Sequence, residues 1–241
     1  MRAFVAAMIM AAASLGGAAV AQPSQSRMAS GGGEVLAAIQ RFYPDDYRQL
    51  QQALDRHAAA HPGDEAGRAG LRARLLADFF RRRSDGLANA PAPLVNAIVD
   101  RHLVLLRLLA GDDSALCAEL ADNLLIGRFD LPAFYQDRAT ALSVAIIEAA
   151  KAGEARPRDP ARNGLVGDDA TRWYEELLRV EPSSDIQAAI AADTAGAGAS
   201  PEMQCRVGAA IFGAVEKLAP EQAANVGAFF LAETLAGRSR D

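Results

Sequence analysis

The chain has 241 residues, of which 51% are hydrophobic and 23% charged. That apolar fraction is enough for a packed core and excludes a wholly disordered chain. A formal charge of −5 at neutral pH excludes a general nucleic-acid binder, which needs a basic surface to neutralise phosphates.

Met1 and Arg2 are followed by a short apolar run from Ala3 to Leu15, then by small residues ending Ala19-Val20-Ala21. A charged start, an apolar stretch of this length and an A-x-A site read as a cleavable signal peptide over residues 1–21, cut after Ala21. The run is too short and too rich in alanine for a membrane span. Removing Arg2 and no acid brings the mature chain to about −6. With no second span in the sequence, the expected mature protein is periplasmic or secreted and has no transmembrane anchor.

Residues 22–33 are polar and end in Gly31-Gly32-Gly33, which reads as a flexible mature N-terminus. From there to residue 238 the apolar residues recur with helical period, and no segment alternates with a period of two. The expected fold is a single all-α domain, an irregular bundle of nine or ten helices. Glu34 to Phe42 forms a short helix. Pro44 starts the next in its first turn and Pro62-Gly63 stops it. Asp64 opens a third, reaching Arg83, with Leu71, Leu75, Leu76, Phe79 and Phe80 on its core side. After Pro91 and Pro93, residues Leu94 to Leu109 are apolar on most sides, as befits a central helix. Gly111 ends it.

Ser114 to Ile126 follows. Asp130 is the expected cap of a long helix from Leu131 to Ala152, striped by Tyr135, Ala139, Leu142, Ile146 and Ala149. The longest internal loop spans 153–167. Asp168 and Asp169 open the Trp173 helix, on which Glu175 with Arg179, and Arg172 with Glu176, have the spacing of i,i+4 ion pairs. Ser184 and Gln187 fit a capping box. Ser200 and Pro201 open the penultimate helix, striped by Met203, Val207, Ile211, Ala214 and Leu218, and Pro220 opens the last, which ends at Gly237. The aspartate pairs 45–46, 112–113 and 168–169 all fall at expected helix starts, where capping and the helix dipole favour them.

Cys117 and Cys205 are the only cysteines. In an exported chain an isolated pair reads as one disulfide. The remaining candidates are few. Arg72, Arg74, Arg81, Arg82 and Arg83 crowd one helix against Asp78 and suggest an anion- or partner-binding surface. The arginines of the 153–167 loop, Arg156, Arg158 and Arg162, would extend that surface if the loop folds over it. His102 lies on the core side of the central helix. As a buried imidazole it should find a polar partner on another helix, and it is the weak candidate for a catalytic base. His57 and His61, four apart, are weak metal candidates, but alanines lie between them, with no general base.

No nucleotide loop, nucleophile elbow or paired C-x-x-C is present, and no cofactor is implied. The expected function is therefore a non-catalytic, exported envelope protein with a binding or structural role. Its expected partner is an anionic lipid, a glycan or a protein, met through the arginine-rich helix. The alternatives are an envelope hydrolase working near His102 and a metal-binding protein using His57 and His61.

Overall fold

Prolines and capping residues set most of the helix starts. The computed structural model describes residues 23–128, 130–157, 164–165, 167–191 and 199–237. The expected leader and its cut after Ala21 lie outside these, as do Arg158 and Arg162 in the middle of the 153–167 loop. The described residues form helices and no strand: α1 (Pro23–Phe42), α2 (Pro44–Ala60), α3 (Glu65–Arg81), α4 (Ser84–Ala88), α5 (Ala92–Asp112), α6 (Ser114–Asn123), α7 (Ala133–Glu154), α8 (Gly167–Val180), α9 (Ser184–Ala191), α10 (Pro201–Val215) and α11 (Pro220–Ala236). Eleven helices among the described residues exceed the nine or ten expected. The addition is α4, a five-residue turn that carries no periodic stripe of its own. No helix among them is long and apolar enough to cross a membrane.

Where pattern and capping agree, the expected boundaries hold. The Asp64 carboxylate accepts from the Gly67 amide at the start of α3. Ser200 accepts from Met203 ahead of Pro201, and Gly237 closes α11 in the left-handed conformation (φ 70°).

Elsewhere the expectation needs correcting. Helix α1 begins at Pro23, ahead of the three glycines, so residues 23–33 are helical rather than a free tail. Val35, Ala38 and Ile39 are buried and α1 packs on α7. Once that end is nucleated, further turns cost much less than a new helix. Gly111 lies inside α5, which runs on to Asp112. Asp112 therefore closes a helix, and Asp113 alone caps α6 through the Leu116 amide. Asp130 does not cap α7: Pro132 holds that position, and Asp130 instead accepts from Arg128 at 2.8 Å. The Ser184–Gln187 capping box is replaced by a bond from the Gln187 amide group to the Glu181 carbonyl at 2.9 Å. On α8 the ion pairs form at i,i+3: Arg172 meets Glu175 at 3.3 Å and Arg179 meets Glu176.

One cluster of buried residues runs from Val35 to Leu235. Helix α5 lies at its centre, packed by α6, α7, α10 and α11, which is why nearly every side of it is apolar. Helix α10 is buried almost as completely. Its inward residues include Cys205, Gly208, Phe212, Gly213 and Val215, well beyond the single stripe its period suggested.

Two crossings use glycine because the neighbouring helix comes too close to leave room for a side chain. A Cβ on Gly153 of α7 would lie 1.8 Å from the Gly86 carbonyl oxygen of α4, and one on Gly208 of α10 would lie 2.5 Å from the Ala121 Cβ of α6. The second crossing lies beside Cys117 and Cys205, whose sulfurs are 2.04 Å apart across 88 residues of sequence. Polar clasps complete the assembly. Arg107 on α5 grips Glu216 with two hydrogen bonds of 3.0 and 2.8 Å, and the Trp173 indole donates to the Ile211 carbonyl at 3.2 Å.

Closing a loop of that length restricts the unfolded chain by roughly 4–5 kcal/mol. The variant Cys117→Ala/Cys205→Ala should lose about that much in urea unfolding. Reductant should lower the native midpoint and leave that of the double variant unchanged.

Candidate functional site

The arginine-rich segment does not present one free basic face. Arg81 pairs with Asp78 at 2.8 Å and Arg82 with Asp46 of α2 at 3.1 Å. Arg83 reaches inward to Asp46 and to Glu154 of α7, 3.5 Å away. Its guanidinium also lies over the Tyr43 ring, 4.3 Å from the centroid. The Tyr43 hydroxyl donates to Glu154 at 3.1 Å, and burial, then the Glu154 charge, push its pKa upward. Arg82 and Arg83 thus tie α2, α3, α4 and α7 together. The sequence could not reveal this, because Asp46 already had a local reason to be where it is. Arg74 is exposed. Arg72 is half-buried, its pKa lowered by burial and then by Arg68 one turn away. Arg156 is exposed at the end of the described part of the loop.

His102 is fully buried. Its ring stacks on Phe212 of α10, 4.4 Å between centroids with the planes 27° apart. Neither ring nitrogen has a hydrogen-bond partner, which corrects the expectation of a polar partner from another helix. The neighbouring helix supplies an aromatic face instead. Burial pushes the pKa down to about 3, so the ring is neutral at physiological pH.

His57 and His61 sit with rings 4.9 Å apart, and Asp64 lies 3.5 Å from the Nε2 of His57. Among the described residues no group of three or more His, Cys, Asp or Glu side chains is placed to hold a metal ion.

The most unusual backbone is elsewhere. Helix α6 stops at Asn123, not at Ile126 as its pattern suggested. Leu124 and Leu125 follow with φ of 60° and 54°, the left-handed region that costs an L-residue roughly 1–2 kcal/mol each. Both leucines are buried, and consecutive residues on a continuing helix would diverge by a third of a turn. The reversal lets both enter the core, and burying a leucine contributes about 1.5–3 kcal/mol. The Asn123 side chain accepts from the Leu125 amide at 3.0 Å. Gly127 (φ 79°) passes so close to α3 that a Cβ there would lie 3.1 Å from the Ala73 Cα.

This turn separates two cavities. On one side is a groove of about 310 Å³ lined by Ala77, Arg81, Asp122, Asn123, Ile126 and residues 234–237. The last residues of α3, α6 and α11 all border it, so three helix C-termini converge there. Each carries a partial negative charge, and Asp122 adds a carboxylate. The Thr234 hydroxyl is turned back to the Phe230 carbonyl at 2.9 Å. On the other side of the turn is a void of about 10 Å³ bordered by Val35, Leu125, Gly127, Arg128 and the α7 residues Gln136, Ala139, Thr140 and Ser143. None of these lining residues was singled out as a site from sequence except Arg81. The available signal was Gln136, Thr140 and Ser143 recurring at i, i+4 and i+7 next to an apolar stripe.

Two outcomes follow from these contacts. Replacing Arg83 by Ala leaves Asp46 and Glu154 without their shared partner in a half-buried setting. It should lower unfolding stability by about 1–3 kcal/mol, read from urea titration, whereas Arg74→Ala should stay within about 0.5 kcal/mol. Unfolded, the His102 imidazole gains a proton below its ordinary 6.5; folded, it does so only near 3. Stability contributed by this group is therefore complete above pH 6.5 and falls as pH drops toward 3, by up to roughly 1.4 kcal/mol per unit. His102→Phe should flatten that window and, by removing two unpartnered nitrogens, raise stability at pH 7 by about 1–3 kcal/mol.

Comparison with protein-family models, with curated proteins and with solved structures gave no match to this chain.

Proposed function

We propose that the protein is an exported, non-catalytic binding protein of a bacterial envelope, and that it takes a cationic group of its ligand into the groove between the ends of α3, α6 and α11. The observation that carries this reading is the convergence of three helix C-termini and the Asp122 carboxylate on one open groove. Cations are favoured at such ends by about 0.3–1 kcal/mol each where they are solvent-exposed. An amine or guanidinium resting on Ala77, Ile126 and Leu235 would meet both the charge and the apolar floor.

Export is supported by the leader pattern in residues 1–21 and by a cysteine pair at bonding distance, which persists in an oxidising compartment. The non-catalytic reading is supported by the position of His102, sealed and neutral in the core.

A second reading, an anionic envelope component held by Arg68, Arg72 and Arg74, is favoured by one observation. Burial and then Arg68 lower the pKa of Arg72, and the part due to Arg68 is a like-charge repulsion that a bound anion would relieve.

Titration with spermidine and with arginine amide, followed by NMR, should shift resonances of Ala77, Asn123 and Thr234. Asp122→Lys should weaken the interaction at least tenfold, and succinate should leave these resonances unmoved. Binding of the cations that ignores Asp122→Lys would overturn the groove reading. Salt-sensitive binding to anionic vesicles, weakened by the double variant Arg68→Glu/Arg74→Glu, would favour the second.

A further inference from the structure

The void behind the strained turn has the chemistry of an occupied site. Gln136 is 4% exposed, and its carbonyl oxygen Oε1 has no hydrogen-bond partner. The other half of the same amide donates to the Thr140 hydroxyl at 3.3 Å. A buried acceptor left unanswered costs about 1–3 kcal/mol, yet this one borders a cavity rather than close-packed carbon. Thr140 and Ser143 border the same space from the same face of α7. The ligand that fits must donate a hydrogen to Oε1, exchange hydrogen bonds with two hydroxyls and occupy the volume of a single non-hydrogen atom. A void of about 10 Å³ is close to the least room that holds one water molecule, which needs two to four polar partners.

We propose that this void is a specific site for one long-lived water molecule, held by Gln136, Thr140 and Ser143 against the turn Leu124–Arg128. The water does more than fill space. Leu125, Gly127 and Arg128 line the void, while Ile126 of the same turn and Asn123 at the end of α6 line the groove. Arg128 is itself fixed by Glu119 and by Asp130 at 2.8 Å, so the turn is held at its far end and the water supports its middle. Two consecutive left-handed leucines persist only where their surroundings over-determine them, and the hydrated notch is part of that determination. This inference does not depend on the groove having any particular ligand.

Oxygen-17 magnetic relaxation dispersion on the full oxidised chain reads long-lived internal water directly. The signal should diminish by one such water in Gln136→Leu and in Ser143→Val, the second of which places a methyl group in the void. In Gln136→Leu, amide hydrogen exchange over Leu125–Arg128 should accelerate at least tenfold while exchange in α5 stays unchanged. Ser143→Val, which keeps the void filled, should accelerate it less. An unchanged dispersion signal in both variants would overturn the proposal. So would a Gln136→Leu chain whose urea midpoint rises, because that is the behaviour of a dry notch relieved of an unanswered acceptor.

Discussion

The fold depends most on the seam between α6 and α10. There the Ala121 methyl fills the space that a side chain at Gly208 would need, and Cys117 and Cys205 meet one turn away. This contact brings the second part of the chain against the first. With α10 held there, Phe212 can lie against His102, Trp173 of α8 can bond to the Ile211 carbonyl, and Arg206 can reach Glu181 at 3.2 Å. Helix α5 is enclosed as a result. Its apolar side chains, spread around the whole circumference, are buried because α10 and α11 close over the faces that α6 and α7 leave open.

Much of this was legible in the residues themselves. Helix starts marked by proline after a capping side chain, as at Ser200-Pro201, were readable because the signal is local. So was the central place of α5, since an apolar residue on every side has no solution but burial. The pairing of Cys117 with Cys205 needed only an even count. The failures also have physical reasons. The three glycines before Glu34 have poor helix propensity, but propensity yields to a docked helix that needs no new nucleus. The end of α6 was misread because Leu124 and Leu125 continue an apolar pattern, and nothing local announces that both are buried by reversing the backbone.

The site was less legible than the fold, for the same reason on a larger scale. Read in sequence, Arg81, Arg82 and Arg83 form one basic block. In space, their partners Asp78, Asp46 and Glu154 come from three helices, and two of the three arginines act as ties between elements. His102 was correctly placed in the core, but in place of the expected polar partner its ring meets the face of Phe212, and its two nitrogens stay unanswered. The groove has no sequence signature because it is built from the ends of helices distant in the chain, and helix ends owe their charge to peptide groups that every residue carries.

The crossing of α4 on α7 has a consequence for ancestry. Gly86 and Gly153 meet with no side chain between them, so any larger residue at either place would force the two helices apart and displace α11, which leans on α4. Descent can rewrite most of the apolar positions, because volumes compensate one another, but it has no compensating move at a bare peptide contact. A small residue at each of these two places, with a cysteine between them and a second one after them, would therefore be a durable mark by which remote kin of this chain could be told from other helical bundles.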